Sequence, residues 1–260
     1  MTQVRRFWPI LTGTHRYDKS LSTRGRGAGQ IIEAPILAYL IETVHGRILY
    51  DVGCDYAKIG DARLRKSYYE NPTFPFGAPQ MRDDQRLSKR LAALGLSPAD
   101  VDLVFLGHLH FDHAGGLREF AHAELHVHTR ELLAAHEPAD AAYFADDFAG
   151  DYLWRPTDSE YELLPGIRAV ESPGHTAGHM SLWIELPKGA PILLCGDAAD
   201  LSENLDQEIA PGLCWQERDD IALASIRKLK QLAIATGAEL WPNHDLAFFR
   251  TRRPFPRCYE

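Results

Sequence analysis

Short apolar runs separated by polar turns recur along the chain and predict many β-strands. Residues 36–43 and 47–52 flank His45-Gly46, a pair typical of a tight turn, and therefore predict two strands joined as a hairpin. The apolar run 101–106 predicts a buried strand. Further strands are predicted at 124–128, 180–186, 191–195 and 239–241. The chain thus has the pattern of a protein built around β-sheets.

Three segments have helical features instead. Residues 84–94 place leucines on one face, begin with acidic residues and end before Gly95, which is typical of an amphipathic helix. Residues 97–100 predict one helical turn. A long helix is predicted from the acidic pair 219–220 to Gly237, with a core face of Ala222, Ile226, Leu229 and Ala233. This order of elements favours an α/β sandwich of two mixed β-sheets with outer helices.

Potential metal ligands are concentrated directly after the predicted strand 101–106, at His108, His110, Asp112 and His113. In an extended segment side chains alternate between faces, so the first three can point to the same side. The following Gly115-Gly116 allows a turn that would bring His113 to them, because glycine accepts backbone angles that other residues avoid. The segment therefore predicts a metal site at the end of a strand.

Three further candidates lie at predicted turns or strand ends: His175, Asp197 and His244. Imidazole and carboxylate ligands without thiolate suit a divalent metal such as zinc that activates water. Seven ligands are too many for one ion, and two ions about 3.5 to 4 Å apart could hold a hydroxide between them. The predicted division gives His108, His110 and His175 to one ion, Asp112, His113 and His244 to the other, and Asp197 to both.

The remaining histidines are interpreted as surface or hydrogen-bonded core residues, because a lone histidine has that role more often than it binds a metal. His126 and His128 share the His-x-His spacing, but no Asp-His follows them, and residues 124–128 alternate like a half-exposed strand. The seven positions interpreted in this way are His15, His45, His122, His126, His128, His136 and His179.

Four segments follow one another along the chain in the order HLHFDHAGG, SPGHTAGH, LLCGDAAD and WPNHD. In residue types and in order they resemble the motifs of the metallo-β-lactamase fold superfamily. Within that superfamily the chain is most similar to the N-acyl homoserine lactonase group, which includes pyridoxolactonase-like enzymes. The resemblance covers about residues 36 to 249. It implies an α/β fold, namely a four-layer αββα sandwich of two mixed sheets flanked by helices, as one domain over residues 1–260.

The resemblance also implies a dinuclear-metal hydrolase that opens a lactone ring through attack by a metal-bridging hydroxide. Asp112 and Asp197 would be its catalytic residues, since Asp112 can pass a proton to the leaving oxygen and Asp197 would hold both ions. The expected cofactors are two divalent ions, foremost Zn²⁺, although iron, manganese or cobalt can occupy such sites. The expected partner is a small lactone or ester.

Two positions near the expected ligands need separate interpretation. Asp51 falls where the superfamily often has Asp-Thr-Gly, which indicates a carboxylate that orients a ligand histidine; the alternative is a polar residue that ends a buried strand. Asp200 stands three residues after Asp197, where the lactonase group usually has a tyrosine that helps hold the substrate carbonyl. An ionised carboxylate cannot donate a hydrogen bond. Either another donor serves, with Tyr143 and Tyr152 as candidates, or the substrate differs.

Two aromatic-rich stretches without clear periodicity are candidates for loops over the metal site. The alternative is that they pack onto the core or form a subunit interface. Together with Asp200, the residues proposed for a substrate pocket are Tyr68, Phe76, Phe111 and Tyr152. Residues 14–30, within an N-terminal segment 1–30, have a polar, glycine-containing composition that predicts a flexible segment. It is either a lid or a disordered segment, and the low hydrophobicity slightly favours disorder.

Composition limits the function classes. A net charge of −8 argues against a broad phosphate-binding surface and hence against a nucleic-acid partner, including a nuclease or phosphodiesterase role. No apolar segment approaches the length that spans a membrane, and the four cysteines are far apart, which predicts a reduced, cytoplasmic protein. We expect a monomer or homodimer.

Two other functions compete with the lactonase interpretation. A thioesterase or esterase of the same fold would use the same ligands, but a glyoxalase-type thioesterase implies a helical C-terminal substrate domain, and only sixteen residues follow His244. A non-catalytic metal-binding module is disfavoured, because a structural zinc site would be closed by four ligands.

Overall fold

The computed structural model describes residues 2–136 and 140–260, so Met1 and residues 137–139 of the predicted domain lie outside the described residues. The first sheet has six strands whose order in the sheet follows the chain. Its antiparallel half consists of β1 (Val4–Asp18), β2 (Ile31–Thr43) and β3 (Arg47–Tyr50). Its parallel half adds β4 (Leu103–Phe105), β5 (Glu124–His128) and β6 (Leu153–Thr157).

The second sheet has five strands in the order β11-β10-β9-β8-β7. Its strands are β7 (Tyr161–Leu164), β8 (Ile167–Glu171), β9 (Met180–Ile184), β10 (Ile192–Gly196) and β11 (Glu239–Pro242). Strands β10 and β11 are parallel and the other pairs are antiparallel, so this sheet is mixed as well.

Eight α-helices connect or flank the strands of the described chain. They are α1 (Tyr56–Gly60), α2 (Ala62–Tyr69), α3 (Leu87–Ala92), α4 (Phe111–Ala114), α5 (Thr129–Ala134), α6 (Ser202–Gln207), α7 (Asp219–Thr236) and α8 (Leu246–Arg250). Helix α7 carries the chain from β10 to its parallel neighbour β11, as a parallel connection requires. In the described residues no helix has the length and hydropathy needed to cross a membrane.

Neighbouring residues along a strand pack in different layers of the core. Tyr39 and Phe105 lie between the two sheets, whereas their neighbours Leu40 and Val104 pack on the outer face of the first sheet. The outer face of the second sheet is covered by α7, whose Ile226, Leu229 and Ala233 pack against β10, while the fourth predicted core residue, Ala222, is buried as well. The four layers confirm the predicted αββα sandwich. They form because successive side chains along a strand point to opposite faces of the sheet, so each sheet has two apolar faces to cover.

Three element predictions need correction. The helix predicted at 84–94 is shorter, because Arg86 is extended and separates α3 from a 3₁₀ turn in which the Gln85 side chain accepts a hydrogen bond from the Arg82 N–H. Strand β3 ends at Tyr50 rather than at 52, since Asp51 has a left-handed φ of 57°. The N-terminal segment is ordered by long-range pairing: β1 runs to Asp18 alongside β2, and composition does not reveal such a partner.

Candidate metal centre

The seven predicted ligands come together at one edge of the sandwich, where strands of both sheets end. His108 comes from the segment after β4, His175 from the loop between β8 and β9, Asp197 from the end of β10 and His244 from the segment after β11. All seven are buried except Asp112, which is half-buried. A site built on strand ends is held accurately by the sheets beneath it.

The segment 108–113 differs from the extended conformation that the sequence predicted. It turns into α4 at Phe111, because the N–H groups of His113 and Ala114 both donate to the carbonyl of His110. Asp112 and His113 therefore reach the site from a helical turn. Gly115 and the glycine after it have ordinary negative φ angles. Their role is to save space, since a Cβ on Gly115 would lie 2.5 Å from the Asp55 nitrogen.

One group of ligand atoms is formed by three histidines. The nearest ligand nitrogens of His108, His110 and His175 lie within 4.8 Å of one another. His175 Nε2 lies 3.1 Å from His110 Nδ1. This is the trio that the sequence assigned to a single ion.

A second group of ligand atoms combines Asp112, His113 and His244, again within 4.8 Å of one another. Asp197 lies between the two groups. Its Oδ2 is 3.5 Å from His175 Nε2 and 3.2 Å from His244 Nε2, and its Oδ1 is 3.4 Å from His113 Nε2. A carboxylate in this position can bridge two ions.

Four of the five histidines use one ring nitrogen to fix the direction of the other. The outer nitrogens donate to carbonyl or carboxylate oxygens, which are Asp51 Oδ2 for His113 (2.7 Å), Asp140 Oδ2 for His110 (3.0 Å), Leu213 O for His175 (3.2 Å) and Pro35 O for His244 (2.9 Å). Such partners set the tautomer and orient the inner nitrogen as a ligand. The predicted position of Asp51 beside a ligand histidine agrees with this geometry.

The left-handed backbone of Asp51 places its carboxylate between two loops. Oδ1 accepts the Gly107 N–H at 2.8 Å and Oδ2 accepts the His113 N–H. A non-glycine residue at positive φ costs of order 1–3 kcal/mol. The two hydrogen bonds offset this cost and tie the end of β3 to the ligand segment.

The donor set fits divalent metal ions. Among the described residues, neither ring nitrogen of His108 has a hydrogen-bond partner, and Nε2 of His113 lacks one too, although both rings are buried. Leaving such atoms unpaired is costly unless something else satisfies them. Imidazole and carboxylate ligands without thiolate match zinc and similar ions.

The electrostatic environment shifts the pKa of some ligand histidines downward and that of others upward. Burial lowers the pKa of His108 well below its usual value and that of His175 to about 4. Burial acts in the same direction on His113 and His244, but the surrounding carboxylates, foremost Asp197, together outweigh it; they raise the pKa of His113 well above its usual range and that of His244 to about 10. Positive charge beside Asp197 is thus strongly favoured, as a cation site requires.

Glu131, at the N-terminal turn of α5, connects the two histidine loops. It is fully buried. Its Oε1 accepts the Leu109 N–H and the Tyr143 hydroxyl, and its Oε2 accepts the Thr176 hydroxyl and the Gly178 N–H, over 2.7 to 3.1 Å. Loop 108–113 and the His175 loop are therefore fixed to one carboxylate. Nothing in the linear sequence marks Glu131, because its partners are distant along the chain.

A cavity opens onto the metal ligands. The side chains predicted for a substrate pocket are divided: Phe76, Phe111 and Asp200 line it, while Tyr68 and Tyr152 do not. Tyr68 instead packs on Phe144, with Lys58 over its ring. The Tyr152 hydroxyl donates to the carbonyl of Asp147. Both are therefore corrected to packing residues of the loops.

The cavity has walls that the sequence did not predict. Strand β1 contributes His15, Arg16 and Tyr17, and the following turn contributes Leu21. His15, interpreted as a surface or core histidine, thus lies in the pocket, with its ring against Phe111. These residues were not predicted to line the pocket, because no periodicity in residues 14–18 indicates that they continue a strand.

Residues 32–240 match the model of the family described as the Metallo-beta-lactamase superfamily. The chain belongs to this superfamily. It is 30% identical over 255 residues to an N-acyl homoserine lactonase of a Bacillus species, with 97% of this chain and 98% of that protein covered. It is 31% identical over 270 residues to the N-acyl homoserine lactonase AttM of Azorhizobium caulinodans, with both chains fully covered.

Solved structures of the superfamily agree with these relatives. An N-acyl homoserine lactone hydrolase with the product N-hexanoyl-L-homoserine bound at its catalytic metal centre superposes with a TM-score of 0.88, at 28% identity and full coverage of both chains. The AiiA protein of B. thuringiensis, in a variant with N-decanoyl-L-homoserine bound at the active site, gives 0.88 at 27% identity, again with full coverage.

In this member of the metallo-β-lactamase superfamily, His179 supports the site without facing it. The ring is buried, Nδ1 bonds with the hydroxyl of Ser172, and Nε2 accepts the N–H of Asp197 at 2.9 Å. The geometry agrees with its interpretation as a hydrogen-bonded core histidine. It fixes the backbone from which the Asp197 carboxylate extends.

Replacement of Glu131 by glutamine is expected to weaken metal binding about 10- to 100-fold, the usual effect of removing a residue that orients ligands. Glutamine offers one acceptor oxygen where four donors converge. The affinity is measured by titrating zinc into the metal-free variant against a chelating indicator. The matched control Glu162→Gln, on the exposed side of β7, should bind zinc like the wild type. Equal affinities of the two variants would contradict the role of Glu131.

Proposed function

We propose that this chain is a dinuclear-metal hydrolase that opens the ring of an N-acyl homoserine lactone or a related small lactone. The observation that carries the proposal is the position of Asp197 between two complete ligand groups. The relatives named as N-acyl homoserine lactonases, one of them described as quorum-quenching, support the substrate class.

Two ions would be held by the side chains at this edge of the sandwich. The assigned ligands are His108, His110 and His175 for one ion, Asp112, His113 and His244 for the other, and Asp197 for both. When bound, such a pair lowers the pKa of a shared water and polarises a carbonyl group. We propose zinc, because the donors are nitrogen and oxygen alone. All ligands come from one chain, so the site is complete in a monomer. A homodimer would carry two such sites, one in each subunit.

The pocket supports a small substrate with an apolar part. Phe74 and Phe111 pack edge to face and line the cavity together with Phe76, and the partly exposed Leu21 and Leu213 add further apolar surface to it. Such a lining suits an acyl chain. Asp112, which lines the pocket beside the second ligand group, would take up the proton that the attacking water gives up and pass it to the leaving oxygen. Asp197 positions both halves of the site.

A panel of γ-lactones, thioesters and phosphodiesters tests the proposal with the zinc-loaded protein. Proton release with N-acyl homoserine lactones should exceed that with the other classes by at least about tenfold, in line with discrimination of 1.4 kcal/mol or more. A metal-dependent thioesterase or esterase of the same fold would instead turn over thioesters or open-chain esters fastest. That result would replace the lactone assignment while leaving the metal centre intact.

A further inference from the structure

Tyr17 is one of the pocket residues that the sequence did not predict. It lies near the end of β1, and its side chain lines the same cavity as Asp200, His175 and His244. Its hydroxyl is 2.9 Å from the Ser22 Oγ. Burial and the neighbouring carboxylates of Asp200, Asp197 and Asp112 raise its pKa well above the usual range. The phenol therefore keeps its proton beside the ligands.

Ser22 is held firmly in place. It is fully buried, its N–H donates to the carbonyl of Lys19 at 2.9 Å, and its own carbonyl accepts from Asn204 Nδ2 at 2.9 Å. Asn204 belongs to α6, directly after the segment that carries Asp200. An ion pair between Lys19 and Glu203 joins the same two segments. The Tyr17 hydroxyl is thereby fixed relative to the strand end that carries Asp197.

The two phenols that the sequence offered as alternative donors, Tyr143 and Tyr152, have their protons committed elsewhere. The Tyr143 hydroxyl donates to Glu131 and the Tyr152 hydroxyl donates to a backbone carbonyl. Asp200 is buried in the cavity wall, and burial and the Asp197 carboxylate raise its pKa to about 7. It offers an O–H only when it is protonated, whereas the Tyr17 phenol keeps its proton throughout the neutral range. Among the described residues that line the cavity, only Thr73 and Tyr17 carry a hydroxyl, and Thr73 is exposed at the rim. Tyr17 is the half-buried one.

We propose that Tyr17 donates its O–H to the carbonyl oxygen of the lactone, with Ser22 holding the phenol in position. The Tyr17–Ser22 hydrogen bond can run in either direction, and the proposal uses the one in which Ser22 donates to the Tyr17 oxygen, because the Tyr17 proton can then point into the cavity. As negative charge grows on the carbonyl oxygen, this hydrogen bond strengthens, so its main effect is on the rate rather than on substrate binding. The inference rests on the proposed function and adds one catalytic residue to it.

Tyr17→Phe removes only the hydroxyl. In the zinc-loaded protein we expect kcat for a lactone to fall about 10- to 100-fold, below the full loss of a dedicated oxyanion donor, with KM changed less than about threefold. Zinc content and melting temperature should match those of Tyr161→Phe, a control whose hydroxyl bonds with His126 outside the cavity. Ser22→Ala should lower kcat in the same direction by a smaller factor.

Calorimetric binding of the ring-opened hydroxy acid gives a readout that needs no turnover. Tyr17→Phe should bind it about three- to tenfold more weakly than Tyr161→Phe, the loss of one hydrogen bond. Equal kcat and equal affinity in the two variants would overturn the role of Tyr17, as would loss of zinc together with activity, since the phenol would then help build the site. A wild-type protein that opens no lactone would overturn the proposed function and this inference together.

Discussion

Asp197→Asn is expected to lower lactone turnover by about a thousandfold or more and to weaken binding of both metal ions. One carboxylate oxygen faces His113 and the other faces His175 and His244. Asparagine has a single oxygen to offer, and Asn243 Nδ2 already donates to Asp197 Oδ1 at 3.0 Å. The neutral side chain also removes the charge that favours cations between the two groups.

The measurement is zinc content after dialysis, together with the rate of ring opening. Asp61→Asn is the matched control, because Asp61 is an exposed N-cap of α2 and asparagine also caps helices well. The control should keep two zinc ions and full turnover. Loss of only one ion from the Asp197 variant, with turnover preserved, would show that this carboxylate does not bridge.

Asp112→Asn is expected to lower kcat for a lactone about 10²- to 10⁴-fold, the range of general acid catalysis. Its oxygens lie 3.8 Å from His113 Nε2 and from His244 Nε2, at the half-buried side of the second ligand group. A proton held there can pass to the leaving oxygen of the ring. Asparagine keeps an oxygen for the metal but cannot cycle a proton.

A thiolactone separates the two roles of Asp112. A thiolate is a far better leaving group than an alkoxide, because a thiol has a pKa near 8.5, so it needs little help from an acid. The loss in the Asp112 variant should therefore be at least about tenfold smaller with the thiolactone than with the lactone. Equal losses on both substrates would mean that Asp112 acts only through metal binding.

The sequence predicted the layered fold well where local patterns decide it. The apolar run before His108 and the amphipathic face of α7 each depend on periodicity, and both appear in the structure as a strand and a helix. The length of β1 could not be predicted, because its order comes from pairing with β2 rather than from its own composition. Tyr17 was missed for the same reason.

The candidate ligands could be identified because their types and spacing are restrictive. The residues that hold these ligands in place could not be identified from the sequence, with the exception of Asp51. Glu131, Asp140 and Asn243 each contact a residue of a ligand segment that is 22 or more positions away. Such contacts exist only after folding, and single acidic or amide residues in a sequence carry no mark of them.

Stepwise addition of zinc to the metal-free protein, with ring opening measured after each addition, tests the central claim most directly. Seven ligands in two groups around Asp197 predict that turnover of an N-acyl homoserine lactone rises until two equivalents per chain are bound and then stays constant. Full turnover in the metal-free protein, or a plateau at one equivalent, would contradict a two-ion hydrolase.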